Sequence, residues 1–326
     1  MILGLYWLAL AIGRAYDSNA PAQSVSILIP AHNAERTIPF LLQSLAHQIY
    51  EADIEIIVAL DRCTDATRAV VESYRSLLSL KVIEISTVPS FWTPKKYALW
   101  RAAQLASHPW CIVIDADVMV QPDWLKGMMK QAHYGKYAVI GYAWLFGNGS
   151  IFSELAAYEA ALVQLESIGR AKWGFPYMST GRGWAVRRAW LLTGLYAWRE
   201  VISGDDDLTL QLLPRSSIAV GPVCSWSSAP TTFTTAYLRK WRHLQTARYY
   251  GRTLRLSLAA VPFLQLMLFF LSPYAPWILV IVPAAKFIAL GLIRAPKAYN
   301  ALWADWLLVF LQGLYPLGVM WVRRDW

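Results

Sequence analysis

Cys111-Ile112-Val113-Ile114-Asp115-Ala116-Asp117-Val118 is the stretch on which the fold turns. Residues 111–114 form a short apolar, β-branched run and read as a strand buried on both faces, as in a parallel sheet covered by helices. Asp115 and Asp117 follow at once. In extended chain, positions two apart share a face. Both carboxylates are therefore expected to reach one point at the strand's carboxyl end, where open α/β sheets bind ligands. Carboxylates this close repel unless a cation lies between them, and a divalent ion with a diphosphate suits the position.

Working outward, strands at 25–29, 54–60, 81–86 and 111–114 alternate with helical patterns at 35–47, 65–78 and 95–106. That alternation predicts an α/β domain with a mainly parallel central sheet and helices on both faces. A long amphipathic helix is expected over 151–170. The first strand ends in Pro30-Ala31-His32-Asn33-Ala34-Glu35, where Asn33 would suit a helix N-cap. The second ends in Asp61-Arg62-Cys63-Thr64-Asp65. Thr64 or Asp65 would cap the next helix, whereas no cap requires Asp61. Lys95 and Lys96 open a helix, where an ammonium and a helix amino terminus can meet phosphate. Gly181 and Gly183 flank Arg182 in a turn that could let backbone approach a ligand closely. Asp205, Asp206 and Asp207 begin a further helix.

Composition bounds the setting. The chain has 326 residues, 56% hydrophobic and only 16% charged, with 17 Trp, 17 Tyr and a net charge of +9. Ordinary soluble domains are about 25% charged, so membrane association is expected, with aromatic belts and core packing both open for the Trp and Tyr. The positive charge suits a cytoplasmic face near anionic lipid or an anionic substrate; no nucleic-acid partner is expected. Cys63, Cys111 and Cys224 are scattered and read as reduced thiols. Residues 1–16 are apolar but short, without a basic start or a small-residue cleavage site, and suit a short anchor or interfacial helix better than a signal peptide. Residues 254–271, 276–293 and 302–322 are three apolar stretches of spanning length. Lys286 and Asp305 fall in or near them and are expected to snorkel or to lie in shallow re-entrant packing, with a functional role for buried ionisable groups as the other reading. Arg294 and Lys297 put one loop on the cytoplasmic side, and Arg323 and Arg324 conflict with three full crossings.

P-x-x-N-x-E, then D-x-x-T-D-x-T, then D-x-D at successive strand ends resembles the nucleotide-binding half of family 2 glycosyltransferases, over roughly residues 24–250. The resemblance implies a GT-A fold: a nucleotide-sugar-binding domain at 24–235, a basic aromatic interfacial helix at 236–253 and about three membrane or re-entrant helices at 254–322. It implies that Pro30, Ala31, Asn33, Glu35, Asp61, Lys95 and Asp115 bind the nucleotide. It also implies that Asp115 and Asp117 hold Mn2+ or Mg2+, and that the catalytic base is Asp206 or, in a second register, Asp205. Asp206 is preferred because an acid precedes it, and Asp207 is least favoured.

The same resemblance assigns Gly181, Arg182 and Gly183 to the acceptor side. The family's Q/R-x-x-R-W motif is not intact. Arg239, Arg242 and His243, or Gln245, Arg248 and Tyr249, keep its spacing with another ring or a shifted Trp. The function implied is inverting transfer of one sugar from a UDP-sugar to a lipid acceptor by an integral membrane enzyme with a cytoplasmic catalytic domain, as in ceramide glucosyltransferase and hopanoid-associated relatives. A processive polysaccharide synthase, a polyprenyl-phosphate glycosyltransferase and a catalytically dead scaffold are the alternatives.

Overall fold

The computed structural model describes residues 2–12, 21–295 and 305–308. Residue contacts divide the chain into two compact units. The sheet unit comprises Arg14–Ala143 and Arg170–Ser228. The helical unit comprises Met1–Gly13, Trp144–Gly169 and Ala229–Trp326.

The sheet unit carries strands β1 (Val25–Ala31), β2 (Ile54–Asp61), β3 (Leu80–Ile85), β4 (Trp110–Val113), β5 (Met119–Val120), β6 (Ala138–Phe146), β7 (Trp184–Arg187) and β8 (Ile218–Ser228) in the order β3-β2-β1-β4-β7-β6-β8-β5. The first four are parallel, with Ile29 opposite Val58 and Leu28 opposite Val113. The pairs β4–β7, β6–β7 and β5–β8 are antiparallel. The sheet is thus mixed, and the expectation of a mainly parallel one holds only for its first half. Of the antiparallel strands, β5 and β7 are only two and four residues long and β8 carries Gly221 and Pro222, so these three show little local periodicity.

Helices α2 (Ile38–Ala46), α3 (Thr67–Ser73), α4 (Pro94–Leu105), α5 (Trp124–Met129) and α7 (Arg188–Ala197) pack on this sheet, and α8 (Asp207–Leu210) packs against α7. Pro94 opens α4, where a missing N–H costs nothing. Ala98, Leu99, Ala102 and Ala103 on α4 are fully buried, and three alanines allow a close approach to the strands. Strand β1 has β2 on one side and β4 on the other, so chain order reverses there. The carboxyl ends of β1, β2 and β4 share one edge of the sheet, and a reversal of this kind is where open α/β sheets bind ligands.

The helical unit holds α1 (Ile2–Ile12), α6 (Ile151–Lys172), α9 (Phe233–Ala247), α10 (Arg252–Leu271) and α11 (Ile278–Leu292). Helix α1 buries Leu3, Gly4, Trp7 and Leu10. A Cβ at Gly4 would lie 3.3 Å from that of Ala285 on α11, and one at Gly169 would lie 2.6 Å from that of Leu10. These two glycines let helix backbones meet.

Helix α10 is the one described helix long and apolar enough to cross a membrane, with a mean hydropathy of 1.9. Of the other two expected spans, 276–293 yields the 15-residue α11, below that length, and 302–322 lies outside the described residues except for 305–308. Lys286 and Asp305 do not snorkel. They pair at 2.6 Å with side chains 3% and 1% exposed. Gln265 bridges them, accepting from Lys286 at 2.8 Å and donating to Asp305 at 3.0 Å, and Tyr158 donates to Asp305 at 2.8 Å. The network answers the cost of burying two charges, because both Asp305 oxygens accept hydrogen bonds, two at Oδ1 and one at Oδ2.

Candidate active site

Strand β4 ends at Val113, and residues 115–118 form a turn rather than continuing extended. Asp115 N–H donates to the Gly181 carbonyl at 2.8 Å, and Val118 N–H returns to the Asp115 carbonyl at 3.3 Å. The alternation argument for a shared face therefore does not apply. Asp115 is half-buried and Asp117 exposed. Burial pushes the Asp115 carboxyl up, Lys95 pulls it down, and the charge of Asp117 pushes it up again, so the two acids are still electrostatic neighbours.

Lys95, in the first turn of α4, joins this turn to the third acidic segment. Its Nζ lies 2.9 Å from Asp115 Oδ1 and 3.2 Å from Asp205 Oδ2. Burial works against the ammonium, but Asp115, Asp205 and Asp206 together raise its pKa. Carboxylates read as separate motifs in the sequence thus converge on one cation. Gly204, at φ 79°, turns the chain before the acids, a conformation suited to glycine. Asp205 is buried. Burial opposes its ionisation, but Lys95 and Lys96 hold it below the usual carboxylate range. Asp206 caps α8, its Oδ1 accepting from Asp207 N–H at 2.8 Å. Burial and then the charge of Asp205 push Asp206 up to about 7.

Lys96 does something the sequence did not signal. Only 1% exposed, it donates to the carbonyls of Trp198, Val201 and Ser203 at 2.8, 2.8 and 2.9 Å. It bolts α4 to the loop that delivers Gly204 and Asp205. Burial lowers its pKa to about 8 against the pull of Asp205 and Asp206. Consecutive helical residues point about 100° apart, so one of the two lysines had to face elsewhere.

At the other end of the sheet edge, the turns after β1 and β2 are laced together. Asn33, at φ 47°, does not cap α2, whose N-cap is Thr37. Its Oδ1 instead accepts from Thr64 N–H at 2.8 Å, while Glu35 Oε2 accepts from Ala66 N–H at 2.9 Å. Asp65 accepts from the backbone of Glu35 and of Thr67, and Ala34 N–H donates to Thr67 Oγ1 at 2.7 Å. Asn33 and Glu35 therefore shape the rim through their side chains. Asp61 is buried and held by the Arg62 fork at 2.8 and 3.1 Å. His32 Nδ1 sits 2.6 Å from the Asp61 carbonyl. Arg62 was missed in the sequence, and nothing there marks its left-handed φ of 46°. Pro30 and Ala31 end β1 beside these turns.

The loop 179–183 closes the carboxylate cluster. A Cβ at Gly181 would come within 2.7 Å of Asp115 Oδ2 and 3.0 Å of Lys95 Nζ. Gly183 has a different reason: at φ 126°, it lies where a Cβ would meet the Trp124 ring at 2.6 Å. Its small size serves packing rather than approach to a ligand. Arg182 is buried and donates to the Ala143 carbonyl at 3.1 Å. Burial lowers its pKa, and Asp117, Asp115 and Asp206 act in the other direction. Arg239, Arg242, His243 and Gln245 on α9, with Arg248 at its C-cap and Tyr249 after it, belong to the helical unit.

Among the described residues, no three His, Cys, Asp or Glu side chains converge as a metal cage. The donor set fits a divalent ion in another way. Asp115 and Asp117 are hard oxygen ligands of the kind Mg2+ and Mn2+ accept alongside substrate phosphates. The Lys95 ammonium stands against Asp115 and Asp205. The hydroxyls of Thr93, Ser179 and Thr180, flanking Lys95 and Gly181 in the chain, are buried without a hydrogen-bond partner among the described residues.

A half-parallel sheet with its order reversing at β1 and acids at its strand ends is an α/β architecture of the GT-A type. The chain belongs to glycosyl transferase family 2. That family's model matches residues 26–192, and the glycosyl transferase family group 2 model matches residues 110–320. The enzyme class that goes with this family is glycosyltransferase.

Poly(ribitol-phosphate) beta-N-acetylglucosaminyltransferase TarS of Staphylococcus aureus is 30% identical over 138 residues, covering 40% of this chain and 23% of that one. The probable glycosyltransferase YdaM of Bacillus subtilis is 25% identical over 243 residues, covering 69% of this chain and 55% of that one. The matches thus span about a quarter to about half of these relatives' own length. Mannosyltransferase PcManGT from Pyrobaculum calidifontis, solved in complex with GDP-Man and Mn2+, aligns with a TM-score of 0.63 at 18% identity, covering 98% of this chain and 95% of that one. This likeness establishes the fold.

Proposed function

We propose that the protein is an inverting glycosyltransferase that moves one sugar from a nucleoside-diphosphate sugar, with uridine as the carrier nucleoside, to the hydroxyl of a lipid at a membrane surface. The observation that carries the reading is the Lys95 bridge at 2.9 and 3.2 Å, which gathers the strand-end acid Asp115 and the helix-start acid Asp205 into one cluster. The reaction needs a site for the diphosphate and a base for the acceptor next to each other.

In this mechanism the turns after β1 and β2 receive the nucleoside, with Asp61 at the end of β2 beside them. A divalent ion held by Asp115 and Asp117 would neutralise charge on the departing diphosphate. Lys95 offers a second positive group to the same oxygens. Asp205, held as a carboxylate by Lys95, is poorly suited to take a proton. Asp206, pushed up to about 7, matches the requirement for a general base at neutral pH. It removes the proton from the acceptor hydroxyl as that oxygen bonds to the anomeric carbon and the bond to the β-phosphate oxygen breaks. Attack opposite the leaving group inverts the centre, and one base suffices.

The lipid acceptor and membrane setting rest on the helical unit. Leu256, Phe263, Leu264, Met267 and Phe270 on α10 are exposed, an apolar surface that water does not favour and a bilayer does. The basic aromatic run at 238–255, with Arg239, Arg242, His243, Gln245, Arg248 and Tyr249, suits the lipid headgroup level.

The test is transfer by the purified protein in lipid nanodiscs, with Mn2+ or Mg2+, a panel of labelled nucleotide sugars and a total lipid extract as acceptor. Mass spectrometry of the extracted lipids should show one added hexose in an anomeric configuration opposite to the donor's. The product should vanish with Asp206→Asn. Transfer only to water-soluble acceptors would overturn the lipid assignment, and retained configuration would overturn the single-base mechanism.

A further inference from the structure

We propose that Lys95 is a built-in counter-cation that competes with the divalent ion for Asp115, so that this site takes up its metal together with a nucleoside diphosphate and binds the free ion poorly. The inference rests on the metal assignment above and says how that site is filled.

One oxygen of Asp115 is engaged and the other is hemmed in. Oδ1 accepts the ammonium at 2.9 Å, and Oδ2 faces Gly181 closely enough that a Cβ there would come within 2.7 Å. A cation approaching Asp115 meets a positive group already paired with this carboxylate, one that also has Asp205 at 3.2 Å. Asp117 is exposed and offers a second carboxylate, but among the described residues no third acidic, His or Cys ligand completes a cage. Two carboxylates, one already paired, make a weak site for a strongly hydrated ion.

A diphosphate changes both sides of this balance. Its oxygens supply the missing hard ligands and give Lys95 an alternative anion, which frees Asp115 Oδ1. The Lys95 side chain is 38% exposed, so it has room to move between these partners. Lys96 has no such freedom, because its ammonium is tied to three carbonyls. Nucleotide and metal therefore assist each other, and by linkage the factor is the same in both directions. A coupling on the order of tenfold to a hundredfold is expected.

The test is Mn2+ binding to the full-length protein, read as free Mn2+ by electron paramagnetic resonance, with and without UDP or GDP. Wild type should bind Mn2+ weakly alone and at least tenfold more tightly with the nucleoside diphosphate. Lys95→Met should tighten nucleotide-free binding roughly tenfold and shrink the coupling, while Lys95→Arg, which keeps the charge, should behave like wild type. Lys95→Gln repeats the measurement if the methionine variant loses its fold by circular dichroism. Unchanged or weaker nucleotide-free binding in the neutral variants overturns the inference while leaving the metal site standing. Failure of wild type to bind Mn2+ even with a nucleoside diphosphate, or binding that survives Asp115→Asn with Asp117→Asn, overturns the metal assignment itself.

Discussion

Gly181→Ala is the sharpest perturbation of the carboxylate cluster, because the glycine touches its two central groups and its backbone is not in the left-handed region. An added methyl would sit 2.7 Å from Asp115 Oδ2 and 3.0 Å from Lys95 Nζ, where ordinary contact begins at 3.4 Å. The deficit is about 0.7 Å at the carboxylate and about 0.4 Å at the ammonium. Lys95 is the end of a flexible side chain and yields cheaply. Asp115 is held by its own N–H to the Gly181 carbonyl, so loop and acid cannot separate freely. The acid must rotate or shift by roughly two-thirds of an ångström, and misplacement on the order of 1 Å costs about a hundredfold in rate.

The expected result is a loss of turnover on the order of tenfold to a hundredfold, a weakened Mn2+ complex with UDP, and a melting temperature within a few degrees of wild type. Gly221→Ala is the control. There a Cβ would meet its nearest neighbour at 3.4 Å, and activity should be kept. Donor turnover in nanodiscs and Mn2+ titration are the assays. Wild-type turnover and metal affinity in the Gly181→Ala protein would refute the reasoning that this loop sets the position of Asp115.

The general-base assignment predicts that kcat/KM rises with pH through about 7, because Asp206 must be deprotonated to act and its pKa is raised to about 7. Asp206→Asn should lose on the order of a hundredfold to ten-thousandfold, and Asp205→Asn should move the limb to lower pH by removing a neighbouring negative charge. A limb that stays in place in Asp205→Asn would refute Asp206 as the group that sets it, and a larger loss in Asp205→Asn than in Asp206→Asn would reverse the assignment. In the helical unit, Lys286→Met strands Asp305 with only the donors Gln265 and Tyr158 and should cost about 3 kcal/mol in detergent melting. The double variant Lys286→Met, Asp305→Asn should recover most of it, and equal losses in both would count against a coupled pair.

Glu55 supplies an acid-stability check. Burial disfavours its carboxylate, but Lys81 at 2.6 Å, Ser26 and Ser107 outweigh this and lower it to about 2. Its stabilisation is present above about pH 4.5 and is lost as pH falls through about 2. With Lys81 half-exposed and screened, it is worth about 2 kcal/mol. Glu55→Gln should flatten that part of the acid-denaturation curve.

Much of the parallel half of the sheet was legible because Val25–Ala31, Ile54–Asp61 and Trp110–Val113 are apolar runs that announce burial on both faces. The antiparallel half was not. The two residues of β5 and the four of β7 are too short to carry a period, and their pairing is with strands distant in the chain. The acids Asp115, Asp117, Asp205 and Asp206 stood out because each follows an apolar run or opens a helix. The geometry of Asp117 did not, because the chain turns at 115–118, where Val118 N–H returns to the Asp115 carbonyl. Gly183 looked like a ligand-contacting glycine, and only the Trp124 ring beneath it reveals a packing reason.

The sequence by itself determined the βα alternation, the inventory of acids at strand and helix ends, and the apolar character of the tail. These follow from side-chain polarity and its local period, which are properties of neighbouring residues. Only the tertiary structure decided which of two adjacent lysines meets the carboxylates and which one braces the loop before them. It alone decided that Asp206 rather than Asp205 is left with a high pKa, and that Lys286 and Asp305 find each other in the interior. Electrostatic energy depends on separation in space and on exclusion of water, and neither is written in the spacing of residues along the chain.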